Sequence, residues 1–269
     1  MPAASGGAEA TALMHVDNVE MRFGGIVALD DVSFEVGRRQ VCGLIGPNGS
    51  GKTTMFNCIS GFYRFSRGDI VFDGRSITGM ARHRMIDLGI ARTFQNVALF
   101  GSMTVRDNML VGAHHLGHSG FIANALRLGA SRPEETAARQ RGAEILALLE
   151  LEDVADIVVS ALPFGTRKRV ELARALISQP KLLLLDEPAG GLTHSEVDEL
   201  GKLILRLRQT FDMSILLVEH HMGLVMSVSD KVVALEFGRK IADGTPDEVR
   251  AEPEVIRAYL GEGDDEQAA

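Results

Sequence analysis

The chain has 269 residues, 45% of them hydrophobic and 24% charged, enough for a real core and too apolar for a disordered polymer. A formal net charge of −8 argues against a nucleic-acid partner, because a phosphate backbone needs a basic face. The only cysteines, Cys42 and Cys58, lie in apolar surroundings. They suggest neither a disulfide framework nor a zinc site, and suit a reducing compartment.

The opening MPAASGGAEATALMH has no charged segment leading into an apolar one, so it does not read as a signal peptide. Residues 1–12 are rich in Ala and Gly and read as a flexible tail. Residues 14–36 and 68–77 alternate apolar and polar side chains, with Asp73 and Gly74 as a turn, and predict antiparallel strands. VCGLIG (41–46) is a short apolar strand that runs into GPNGSGKTT (46–54). Met55, Phe56 and Ile59 then fall at helical spacing, and Gly61 stops the helix. The basic runs ARHR (81–84) and, further on, TRKR (166–169) read as solvated helix or loop faces.

From about 97 to 180 the pattern turns helical, through TVRDNMLVGAHH, SGFIANALRLG, PEETAARQRGAEILALLELE and GTRKRVELARALISQ. Pro133 suits the first turn of one helix and Pro180 closes the last. KLLLLDE (181–187) and SILLVEH (214–220) are continuous apolar runs with a helix between them, the pattern of parallel strands buried on both faces. KVVALEFGRKIADG (231–244) reads as a closing hairpin and PDEVRAEPEVIRAYLG as a terminal helical segment. EGDDEQAA is a loose acidic tail. No apolar run approaches the roughly 20 residues of a membrane-spanning helix. The expected fold is an α/β core with an antiparallel β patch and a helical insertion. The expected organisation is one domain over 13–260, its helical subdomain at about 97–180, with tails at 1–12 and 261–269.

Residues 46–54 fit G-x-x-x-x-G-K-[ST] through Gly46, Gly51, Lys52 and Thr53. Glycines let the backbone wrap a polyphosphate with its N–H groups inward. The helix that follows aims its positive end at the same place. Lys52 can reach the β- and γ-phosphates, and the Thr53 hydroxyl can ligate Mg²⁺. In LLLLDE, Asp186 and Glu187 emerge at the C-terminal end of a buried strand, the edge where ligands bind in open α/β sheets. Asp186 can hold Mg²⁺ and Glu187 can polarise an attacking water. His220 leaves another strand and could hydrogen-bond the γ-phosphate. Gln95, in ARTFQ, offers an amide to a metal–water shell. In LPFGTRKRVELARAL (162–176) and just beyond, Val170, Ala173, Leu176 and Ile177 line one helix face, and the helix N-terminus is a second anion site. HHLGH, with His114, His115 and His118, reads as a loop or solvated helix end, because Gly117 breaks the helix and no acidic or thiol ligand lies near.

In this order and spacing the motifs resemble the nucleotide-binding subunit of ATP-binding cassette (ABC) transporters, over roughly residues 14–260. The resemblance implies a P-loop NTPase (RecA-like) core with an antiparallel β subdomain and an inserted α-helical subdomain. By position, Gly46, Pro47, Asn48, Gly49, Ser50, Gly51, Lys52, Thr53 and Thr54 look like the Walker A loop, and Gln95 like the Q-loop glutamine, a metal-shell residue. Asp186 looks like the Walker B aspartate, Glu187 like the catalytic glutamate and His220 like the switch histidine. Phe23 resembles the aromatic residue that stacks on adenine. Leu162 to Thr166 resembles the signature loop, whose Gly165 would meet ATP held by a partner chain. MRFGGIVALDDVSF, ARTFQNVALFGSMTV, VEHHMGLVMSVSD and VIRAYLG are also similar to the ATP-binding subunit of branched-chain amino acid importers. Urea and short-chain amide importers of that branch look nearly alike. Non-transport cassettes of the repair or translation type differ, being tandem or interrupted by coiled coils. The resemblance implies a Mg²⁺-dependent ATPase on the cytoplasmic face of the inner membrane. Its implied partners are a second ATPase subunit, two permease subunits and, indirectly, a substrate-binding protein. The sequence departs from the family where LPFGT replaces LSGGQ, where Thr193 replaces the usual D-loop aspartate, and where His221 stands for an aspartate common in relatives.

Overall fold

The computed structural model describes residues 12–93, 98–113 and 132–260. The chain divides into two compact units, one of residues 1–80 and 201–269 and one of residues 81–200.

In the first unit, β1 (Met14–Phe23) and β2 (Ile26–Val36) form a hairpin in which Phe23 faces Ile26 across Gly24 and Gly25. β4 (Arg67–Phe72) adds antiparallel to β1, and β5 (Arg75–Ser76) to β4. The alternation read in the sequence seals one face of this sheet, with Met14, Val16, Val19, Leu29, Val32 and Ile70 fully buried. Between these strands in sequence lies β3 (Val41–Ile45), which pairs in parallel with both β8 (Ser214–Val218) and β9 (Lys231–Glu236). Every residue of β3 and β8 is buried, as continuous apolar runs require when both faces of a parallel sheet are covered. β10 (Arg239–Gly244) closes the expected hairpin with β9. Helix α1 (Lys52–Ile59) follows β3 and ends at Ser60, one residue before Gly61.

In the second unit, α2 (His83–Leu88) leads into β6 (Ile90–Arg92), which lies parallel to β7 (Leu182–Asp186). At three and six residues, β6 and α2 are too short to leave a periodic signal in the sequence. Helices α3 (Val105–Val111), α4 (Arg132–Leu148) and α5 (Phe164–Leu176) lie in the stretch expected to be helical, while SGFIANALRLG (119–129) lies outside the described residues. The predicted face of α5 is its buried one: Val170, Ala173, Leu176 and Ile177 are at most 1% exposed. Asn108 carries the connection into α3. Its buried amide donates to the carbonyls of Phe100, Met103 and Thr104 and accepts from the Phe100 N–H.

Helix α6 (His194–Phe211) begins in the second unit and continues into the first. It is followed by α7 (Met222–Val228), α8 (Pro246–Ala251) and α9 (Pro253–Leu260). Thr245 and Glu248 form a reciprocal capping box on α8. Among the described residues no helix is long and apolar enough to cross a membrane. Burial pushes the Cys42 and Cys58 thiols up to about 12, so both are inert packing groups.

Candidate nucleotide site

The glycine loop leaves the C-terminal end of β3. Gly46 has φ 148°, and a Cβ there would lie 2.1 Å from the Leu235 carbonyl oxygen and 2.6 Å from Ser50 Oγ. Only glycine lets the loop lie this close to β9. The loop is tied to the β9–β10 turn, where the Gly238 N–H donates to the Ser50 carbonyl at 3.0 Å. Gly51 is the N-cap residue of helix α1, and among the described residues no side chain caps the helix. Its N–H groups therefore face outward over the loop.

Lys52 is the first residue of α1 and is 7% exposed. Its Nζ donates to the Gly46 carbonyl at 2.6 Å and to the Pro47 carbonyl at 2.8 Å. The ammonium thus stands at the mouth of the loop, beside the uncapped helix end. Ser50 Oγ is buried and has no hydrogen-bond partner among the described residues. An orphaned hydroxyl inside a glycine cradle is a place for an oxyanion. Thr53 is exposed at the same end of α1. Phe23, at the end of β1, is 43% exposed and packs edge-on against Tyr63, ring centroids 5.2 Å apart.

β8 lies beside β3 in parallel, Leu44 facing Val218, so the glycine loop and His220 leave the same end of adjacent strands. The His220 ring is exposed. Glu219, fully buried, accepts the N–H groups of His220 and His221 at 3.1 and 3.3 Å. Glu219 lies beside the predicted His220, and its place at the end of an apolar strand is the one local sign of it in the sequence.

In the second unit Asp186 ends β7 and is 5% exposed. It forms an ion pair with Arg92 of β6 at 2.7 Å. Thr93, just past β6, donates its N–H to the Leu184 carbonyl. Gln95, two residues further, lies outside the described residues, as do His114, His115 and His118. Glu187 turns the chain sharply, at φ 47°, a region few non-glycine residues adopt. Gly165 lies in the first turn of α5, close to a carboxylate: a Cβ on it would meet Glu196 Oε1 at 3.4 Å. Pro163 is the N-cap residue of α5 and brings no side-chain cap. Thr193 caps α6, exchanging hydrogen bonds with Glu196. The Thr193 N–H and hydroxyl hold the Glu196 carboxyl below its ordinary value.

One expectation fails here. TRKR is not a solvated face: Thr166, Arg167, Lys168 and Arg169 are each half-buried. Arg169 pairs with Glu150 at 2.8 Å, and Lys168 turns onto the loop after Glu187.

Residues 29–190, more than half of the chain, match the family model described as "ABC transporter". Residues 239–265 match a second one, "Branched-chain amino acid ATP-binding cassette transporter". The chain is 43% identical over 250 residues to the high-affinity branched-chain amino acid transport ATP-binding protein BraF of Pseudomonas aeruginosa, covering 93% of this chain and 98% of that one. It is 41% identical, over the same shares, to the Escherichia coli protein LivG, which carries the same description. Among solved structures it resembles the ADP conformation of an ATP-binding cassette of an ABC transporter. The TM-score is 0.80 at 30% identity, covering 93% of this chain and 99% of the other. A nucleotide-free ATP-binding cassette matches with TM-score 0.79 at 31% identity, over the same shares. A chain that matches the family model over most of its motifs and these relatives over nearly their whole length, on the same α/β fold, belongs to the ABC transporter family as one of its ATP-binding cassettes.

Proposed function

We propose that the chain is the Mg²⁺-dependent ATP-hydrolysing subunit of an importer of branched-chain amino acids, working at the cytoplasmic face of the inner membrane. The observation that carries this reading is the 43% identity to BraF over nearly both lengths. The match of residues 239–265 to the branched-chain family model supports it. Two such subunits, this chain and a second ATPase, would close on ATP and move two permease subunits fed by a substrate-binding protein. The helical stretch at about 97–180 and the segment around Gln95 would grip the permease.

The glycine cradle, the uncapped start of α1 and the orphaned Ser50 hydroxyl suit a bound polyphosphate. Lys52 binds phosphate charge beside the backbone amides of residues 46–54, and Phe23 stacks on adenine. Mg²⁺ would be held by the oxygens of Thr53 and Asp186, with Gln95 in its shell, and would neutralise phosphate charge. A hard cation that draws most ligands from phosphate and water needs no larger protein cluster. Glu187 orients and polarises the attacking water, and His220 contacts the γ-phosphate. Gly165 presents the start of α5 to ATP on the partner subunit. Positioning and fixed charge then supply most of the rate.

The test is ATP hydrolysis by the purified membrane complex, with its binding protein loaded in turn with leucine, urea and acetamide. Stimulation by leucine alone supports the reading. Stimulation by urea or the amide moves the cargo to that branch, and no hydrolysis in any condition overturns it.

A further inference from the structure

The turn after β7 is held by a lysine to which the motifs assign no role. Four successive carbonyls, from Glu187 to Gly190, are all engaged. Those of Glu187 and Ala189 accept the N–H groups of Gly190 and Leu192, at 3.2 and 3.0 Å. Those of Pro188 and Gly190 both accept from Lys168 Nζ, at 2.8 and 2.6 Å. Lys168 lies on α5, about one turn after Phe164, and its ammonium sits 5.2 Å above the Phe164 ring. The same ring lies along the turn, its Cε1 3.3 Å from where a Cβ on Gly191 would be. Glu187 itself is held at φ 47°. A non-glycine residue keeps that conformation only where its surroundings over-determine it. Here they include two backbone hydrogen bonds, one ammonium and one ring.

We propose that Lys168 is a positioning residue for ATP hydrolysis: it gathers the Pro188 and Gly190 carbonyls and so fixes the main chain from which the Glu187 carboxylate is aimed. The proposal rests on the reading of Glu187 as the residue that polarises water. It adds a link between the start of α5 and the geometry of that glutamate. The charge makes the link strong, because an ammonium donating to two carbonyls forms charge-assisted bonds. The ring beneath it narrows the positions the ammonium can take.

The decisive variant is Lys168→Met in the full-length chain, purified in its membrane complex. Methionine keeps the apolar stem and removes every donor. Misplacement of a reacting group by about 1 Å costs on the order of 100-fold in rate. Turnover should therefore fall about 10- to 100-fold, while KM for ATP stays within about twofold, since ground-state binding is not touched. Amide hydrogen exchange at Gly190 and Leu192 should accelerate. Lys168→Arg should restore much of both, because a guanidinium also presents N–H groups to two carbonyls. Unchanged turnover or unchanged Gly190 exchange in Lys168→Met would overturn the proposal, as would an equal rise in KM and loss of kcat/KM. Glu187→Gln serves as the control. If it hydrolyses ATP normally, the reading of Glu187 falls. If it is inactive while Lys168→Met is normal, only the Lys168 proposal falls. Should Lys168→Met not fold, Lys168→Gln, too short to span both carbonyls, carries the same expectations and the same refutations.

Discussion

Two loops leave buried parallel strands in this protein, and they keep their shape by different means. The glycine loop after β3 uses backbone freedom: Gly46, Gly49 and Gly51 all have positive φ. Its lysine, Lys52, comes from the helix that the loop itself begins. The turn after β7 puts a glutamate at positive φ, and its lysine comes from α5, 20 residues earlier in the chain. In each loop an ammonium gathers two main-chain carbonyls. A loop built to enclose a ligand needs glycine, because its backbone must approach the ligand closely. A loop built to aim a carboxylate must carry a side chain at the strained position, and so needs an outside clamp.

If the loops divide labour in this way, their variants should separate turnover from binding. The largest effect is expected at Glu187→Gln. A positioned general base contributes about 100- to 10,000-fold, so phosphate release should drop by that order while ATP affinity is retained. Loss of ATP affinity together with turnover would erase the division between the loops. Next is a contrast within the glycine loop. Gly46→Ala places a methyl 2.1 Å from a main-chain oxygen that cannot swing aside. Overpacking of about 1–3 kcal/mol then adds to about 1–2 kcal/mol of left-handed strain. Gly49→Ala, with nothing within 4 Å of its Cβ, carries the strain alone. Thermal unfolding and nucleotide binding of the two variants check this, and equal losses would mean that close approach is not what selects glycine at position 46.

Lys52→Ala comes third. Losing one hydrogen bond to a charged group costs about 1.5–3 kcal/mol, roughly a 10- to 150-fold weaker ATP affinity. Titration with a fluorescent ATP analogue reads it directly. Unchanged affinity would confine Lys52 to holding the Gly46 and Pro47 carbonyls, a structural task like that of Lys168.

The same contrast explains what could be read from the sequence. β3, its loop and α1 were legible because each device lies within a few residues: an apolar run, glycines at turn positions and a helical repeat. The buried runs of β7 and β8 were legible for a similar reason, since a continuous apolar stretch has few other uses. The clamp on the second loop was not legible. Lys168 sits in a basic run, and nothing local distinguishes a lysine facing water from one folded onto two carbonyls. β6 and α2 left too few residues for a period. The strand end marks the place of Glu219 but not its role, because burial of a carboxylate under two N–H groups is a tertiary fact.

The smallest effect, and the one that tests the start of α5, is expected at Pro163→Ser. Pro163 occupies the N-cap of α5 with φ −56° and ψ 156°, a conformation serine adopts easily. A serine there would gain a cap worth about 1 kcal/mol, by accepting from the N–H of Gly165 or Thr166. It would also lose the restraint proline places on the unfolded chain, about 0.4–1 kcal/mol. The two nearly cancel, so Tm should move by no more than about 2 °C in a chain of this size. Turnover need not cancel. A capping hydroxyl accepts with its lone pair and still has its proton to donate, and in the proposed dimer that proton would meet the γ-phosphate of ATP on the partner subunit. Proline offers neither this donor nor a backbone N–H. If the missing bond weakens the partner's site, Pro163→Ser should raise hydrolysis by the complex. It should also make that activity more sensitive to loss of the partner's own catalytic glutamate. Phosphate release from Pro163→Ser, alone and combined with that second mutation, measures both. A shifted Tm with unchanged hydrolysis would make Pro163 a matter of helix capping only. Faster hydrolysis at constant Tm would show that the donor missing at this one residue limits the partner's ATP site.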